Sequence, residues 1–201
     1  MSGKPRRSAV RWLASFAGAS FFAMAMAALA SSCASTPDAN RFTAIQAPDY
    51  NQFKGNAAMN QVGPHAFMER RCATLDCHGQ VGRPLRLYSA QGLRFPDDAQ
   101  NAPGGAGITE TELAANYQAI IGLQPEQISR VVLDPTNNPP QSLILVSKPR
   151  GCVDPTSTPG CTERHKGGQV IFPGDDADSC LTSWLQGSVD YGKCAAAAMV
   201  P

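Results

Sequence analysis

Cys72 and Cys77 are separated by Ala73-Thr74-Leu75-Asp76, and His78 follows the second thiol at once. Two thiols and an imidazole in that order allow three kinds of chemistry. The thiols can add across the vinyl groups of a haem, and the adjacent imidazole then binds the iron. The order matters, because only the residue after the second thioether can swing its ring under the metal. The usual spacer between such cysteines is two residues, and here it is four. Alternatively, Cys72 and Cys77 close a small disulfide loop beside a bystander histidine. The third option is a zinc site using both thiols and a histidine, for which no clear fourth ligand stands nearby in the sequence.

The N-terminus indicates where this chemistry takes place. Lys4, Arg6, Arg7 and Arg11 form a positive region, and the uncharged run Trp12–Ala30 follows. Ala30-Ser31-Ser32-Cys33 then reads as a small-residue cleavage site ending at a cysteine, the pattern of a bacterial lipoprotein signal. Its first position is alanine where leucine is preferred. The competing reading is an uncleaved anchor, since the run reaches 19 residues. Arg6-Arg7 is followed by Ser8-Ala9-Val10, a poor fit to twin-arginine export. Residues 1–32 are thus expected to be a signal peptide and Cys33 a lipidated residue. The chain is placed in the cell envelope, facing the periplasm. Ala34 after the lipid site, in place of aspartate, is the residue type expected to favour export to the outer membrane.

Seven cysteines less Cys33 leave six. Cys72 and Cys77 are the haem candidates. Cys152 and Cys161 bracket one loop, and Cys180 and Cys194 bracket another, so two local disulfides use the remaining thiols. Proximity is the only argument, and three disulfides without haem satisfy the count equally well. Cysteine usage of this kind belongs to an oxidising compartment.

Residues 1–32 hold four of the 17 basic residues and none of the 16 acidic ones, so the remainder carries 13 against 16 and a net charge of −3. There is no basic stripe and no aromatic platform, which argues against nucleic-acid binding. Sixteen prolines and 18 glycines imply long irregular connections. Residues 33–55, with Pro37, Pro48 and Gly55, read as a flexible tether, and residues 56–201 as one domain.

The elements that must position the thiols are mainly helical. Pro64 opens a helix through Phe67, Met68 and Arg71 to Cys72. Residues 78–108 are mostly loop, interrupted by Leu85–Tyr88. Thr109 and Glu112 form a capping box, and Leu113, Tyr117, Ile120 and Ile121 recur at helical spacing up to Gly122. Pro125 starts a shorter helix through Ile128, Val131 and Val132. Ser142–Val146 fits either a strand or one or two helical turns. Asp175, Asp176 and Asp178 suit a helix N-terminus, and Leu181, Trp184 and Leu185 form an apolar stripe ending at Gly187.

The order of helix, Cys-His motif, long loops, central helix and closing helix resembles a class I cytochrome c domain over about residues 57–190. The resemblance is carried by Cys72–Gly79 with Arg83–Ser89, and by His165–Gly168 with Asp178–Leu185. These stretches resemble a group of bacterial cytochrome-like lipoproteins whose haem motif reads Cys-His-Gly and whose last helix carries a Trp-Leu or Trp-Ile pair. The resemblance implies a mainly α fold with Pro/Gly-rich loops, one covalent haem c and electron transfer rather than catalysis. It implies redox partner proteins in the envelope and attachment to the membrane through the lipid. It also places the second iron ligand just before the closing helix, which singles out His165. Gly167 and Gly168 beside it let the backbone approach a flat macrocycle. The plain alternative is a solvated loop histidine between Arg164 and Lys166. His65, Met59, Met68 and Met199 are weaker candidates, and Met68 reads as core.

Arg70, Arg71, Arg83 and Arg86 suit haem propionates, although such arginines are more often solvated. Trp184 reads as core. Neither Asp97-Asp98 nor Asp175-Asp176 has the ladder of a calcium loop. Besides the electron carrier, a haem-free, disulfide-stapled envelope lipoprotein with a binding or structural role fits the sequence.

Overall fold

The first helix begins where an aspartate can cap it. The Asp49 side chain accepts a hydrogen bond from Gln52 N–H, and α1 (Tyr50–Lys54) follows. Gly55 ends it with φ of 76°, a conformation that costs glycine nothing. The computed structural model describes residues 45–95, 107–151 and 164–199, all within the compact unit Ile45–Pro201. Two short antiparallel strands come next, β1 (Gly55–Asn56) and β2 (Gln61–Val62), paired Gly55 to Val62. The tether expected over residues 33–55 therefore stops short of residue 55. Phe53 is fully buried in the core, and its burial holds α1 in the folded unit.

α2 (His65–Arg71) starts after Pro64 and ends at Cys72, as its proline and apolar spacing predict. It buries Phe67 and Met68 and delivers the chain directly into the Cys-His turn. α3 (Glu110–Ile121) carries the full reciprocal capping box between Thr109 and Glu112 and ends at Gly122. α4 (Pro125–Leu133) has proline in its first turn, where no N–H is missed. The ambiguous stretch around Ser142–Val146 is helical, a 3₁₀ turn (Pro140–Ser142) followed by α5 (Ile144–Ser147). α6 (Asp176–Leu185) is capped by Asp175. α7 (Tyr191–Met199) lies beyond the apolar stripe expected to end at Gly187, in a segment for which no element was expected. Among the described residues the protein is thus largely helical, with seven α-helices and one two-stranded sheet.

The core forms around Trp184, which is fully buried on α6. Its ring lies 5.1 Å from that of Phe53 and 6.3 Å from that of Tyr117. Its indole N–H donates to the Asp49 carbonyl at 3.0 Å, so the one polar atom on this side chain is satisfied. Two buried polar arrangements fix the loops to this core. Arg94 donates through Nε to Glu112 at 2.9 Å, with 5% and 0% of the two side chains exposed. Asn116 bonds both the N–H and the carbonyl of Tyr88, at 2.6 and 2.8 Å, and so mimics a strand partner. Burial alone would raise the Glu112 carboxyl, but donation from Arg94, Thr109 and Phe95 outweighs it and holds the group below its ordinary value. The expected Cys180–Cys194 disulfide is present and joins α6 to α7. The other expected pair, Cys152 and Cys161, lies outside the described residues, as do Cys33 and the Trp12–Ala30 run. Among the described residues no helix is long and apolar enough to cross a membrane.

Candidate functional site

The turn after α2 is built from its own backbone. Ala73 N–H closes onto Met68 O at 2.9 Å, His78 N–H onto Cys72 O at 2.8 Å, and Gly79 N–H onto Thr74 O at 2.9 Å. A side chain at position 79 would overlap the Ala73 carbonyl, so the glycine after the histidine is required. The four-residue spacer is accommodated within this tight turn. Cys72 and Cys77 are both free thiols, not joined to each other. Burial, reinforced by neighbouring Cys77, pushes the Cys72 thiol up to about 12, so it stays protonated at neutral pH.

His78 is oriented by one bond. Its Nδ1 lies 2.8 Å from the Leu85 carbonyl. A carbonyl only accepts, so in the neutral ring this bond assigns the proton to Nδ1 and leaves the Nε2 lone pair available to a metal. Burial lowers the His78 pKa, opposed by the bond to Leu85 and assisted by the positive Arg83 and Lys148, and this favours the neutral ligand form. His165 is held in the same way, with Nδ1 2.7 Å from the Gly168 carbonyl. Gly168 has φ of 81°, which turns its carbonyl back toward the ring, and a side chain at Gly167 would stand 3.2 Å from His165 Cε1. The two glycines therefore serve the histidine itself.

The two imidazoles form a pair. Their centroids are 6.1 Å apart and their planes differ by 23°. That is too long for face-to-face contact.

A cavity of about 530 Å³ opens at this pair and is lined by His78, His165, Cys72 and Cys77 together. Its remaining wall is mainly apolar, with Met68, Leu123, Leu145, Ile171 and Leu181 among the lining residues. The size and the apolar character suit a cofactor or ligand of moderate size. The charged lining is unequal, since Arg71, Arg83, Lys148, Arg164 and Lys166 face only Asp76. A planar apolar macrocycle bearing anionic groups fits this combination of thiols, imidazoles, apolar wall and positive rim.

The weaker ligand candidates are elsewhere. Met59 and Met199 are 68% and 77% exposed, and neither lines the cavity. Met68 lines it from a buried position, as a core residue would. His65 bonds the Phe53 carbonyl at 3.1 Å and braces α1 against α2. Arg71 and Arg83 line the cavity, whereas Arg86 lies 5.7 Å from the Tyr88 ring centroid. Among the described residues no three His, Cys, Asp or Glu side chains gather as a metal cluster. Sequence reasoning missed the Leu85 and Gly168 carbonyls and the cations Lys148, Arg164 and Lys166. Only the Gly167-Gly168 pair signalled any of them. The sequence matches no protein-family model, no curated protein and no solved structure.

Proposed function

We propose that this chain is a monohaem electron carrier of the cell envelope, with a class I cytochrome c-like domain held at the membrane through Cys33. The observation that carries the reading is the His78–His165 pair, 6.1 Å apart at a cavity that also receives both free thiols. Cys72 and Cys77 would hold haem c through thioethers, and His78 and His165 would ligate its iron. The haem would supply a one-electron couple. The chain's own residues do the rest. The Leu85 and Gly168 carbonyls fix the imidazole tautomers, and the apolar wall would limit water around a bound group. The packing of α2 against α7 supports the class I comparison, since it ties the helix leading into the motif to the end of the chain.

The haem-free, stapled lipoprotein draws support from Cys180–Cys194 but leaves the two thiols and the histidine pair without a purpose. Expression with haem-attachment machinery separates the readings. The expected result is a Soret band and covalent haem that survives denaturation, both lost in Cys72→Ala/Cys77→Ala while secretion persists. A wild-type chain with no Soret band and a Cys72–Cys77 disulfide by mass spectrometry would reject the cytochrome reading.

A further inference from the structure

Arg71 is the last residue of α2 and immediately precedes Cys72. Its side chain is half-buried and lines the cavity. Nη2 donates to the Ala197 carbonyl at 3.1 Å, and Nη1 reaches the Val170 carbonyl only at 3.5 Å. Nε is buried with no hydrogen-bond partner. A guanidinium carries five N–H donors, so three remain unused. Among the described residues no carboxylate pairs with it. A cation withdrawn from water without a counter-charge is costly, and the cost is removed when an anion arrives. The charged lining as a whole points the same way, because five basic side chains, Arg71 among them, and one acid surround an otherwise apolar space.

We infer that Arg71 is a carboxylate anchor of the cavity, binding an acid group of a planar apolar ligand. The inference rests on the haem reading above and deepens it, since the two propionates of haem are carboxylates of that kind. A guanidinium suits this role better than an ammonium, because its fork matches both carboxylate oxygens. The competing view is that Arg71 only clamps the carbonyls of Val170 and Ala197.

The test uses the full chain made without haem-attachment machinery, with its thiols reduced. Ferric mesoporphyrin, whose ethyl groups cannot react with thiols, is titrated against its dimethyl ester by Soret absorbance. The expected wild-type result is at least tenfold tighter binding of the free acid. Arg71→Gln should weaken the acid about tenfold to a hundredfold, the range of a hydrogen bond to a charged group, and leave the ester nearly unchanged. Arg71→Lys should fall between. A clamp-only role would weaken both porphyrins alike, and an unchanged acid-to-ester ratio in Arg71→Gln would overturn the anchor. Should Arg71→Gln fail to fold by circular dichroism, the ratio in Arg71→Lys decides, and a wild-type ratio there also overturns it. A wild-type chain that binds neither porphyrin would overturn the haem reading and this inference with it, a result distinct from binding that ignores the ester.

Discussion

His165 owes its position to its own loop. Gly168 supplies the carbonyl that holds Nδ1, and Gly167 leaves room for the ring edge. If it binds the iron opposite His78, the ferric haem protein is low-spin, and His165→Ala opens the sixth site and gives a high-spin spectrum. An unchanged spectrum would remove His165 as ligand. The Cys-His motif was legible because its three residues lie within seven positions of the chain. His165 was legible only through its loop position and two glycines. The carbonyls of Leu85 and Gly168 were not, since every residue carries a carbonyl and only the folded backbone selects one. A second residue-scale prediction concerns Glu69, whose Oε1 is buried without a partner. Burial first, and Glu112 second, push its carboxyl up to about 7 from an ordinary 4.5. The folded state therefore holds this proton more tightly than the unfolded chain. The stability it contributes is complete below about pH 4.5 and is lost as pH rises through about 7. Glu69→Gln should match the wild type at low pH and gain a stability advantage that grows across that window. Denaturant midpoints measured through the window check this, and an offset that does not vary with pH would contradict it.

The capping box of α3, the aspartate cap of α6 and the proline starts of α2 and α4 are local in sequence, which is why these helices stand close to where periodicity placed them. α7 escaped because Tyr191–Met199 is built largely from small residues. Alanine favours a helix without marking an apolar face, so no period shows. α1 escaped for a different reason. Five residues make no periodic signal, and the segment is helical because Asp49 caps it and the core receives Phe53. The disulfide between α6 and α7 spans a sequence separation of 14. A loop of that size is worth about 3 kcal/mol by the chain-entropy argument. Replacing Cys180 and Cys194 together by alanine should lower unfolding free energy by about that amount, read from urea melts under non-reducing conditions. A loss near zero would show that packing alone retains α7.

For the whole molecule, the proposed anchor and the folded unit occupy separate stretches of sequence. The basic start, the uncharged run and Cys33 define the N-terminal stretch, and the compact unit starts at Ile45. Cys33→Ser should abolish acyl modification, and the product should either be released by another peptidase or remain attached through the uncleaved Trp12–Ala30 run. Mass spectrometry of membrane and soluble fractions checks this. Wild-type chain in the soluble periplasm with an unmodified N-terminus would end the anchor proposal. The proposed anchor rests on sequence alone because secretion machinery recognises linear patterns. The cavity could not be read there, since it is assembled from α2, α5, α6 and two loops that meet only in the folded chain.

Trp184, locked to the Asp49 carbonyl in the middle of the core, has one further consequence. The chain has two tryptophans, and the other, Trp12, precedes Cys33. A chain beginning at Cys33 therefore carries a single tryptophan, excited selectively at the red edge of its absorption, fully buried and fixed by a hydrogen bond. Emission from a dry, rigid indole is blue-shifted, and a porphyrin within the same small domain accepts that excitation efficiently. One unlabelled signal thus distinguishes three species: red-shifted emission for the unfolded chain, bright blue-shifted emission for the folded apoprotein, and a quenched state when a porphyrin is bound.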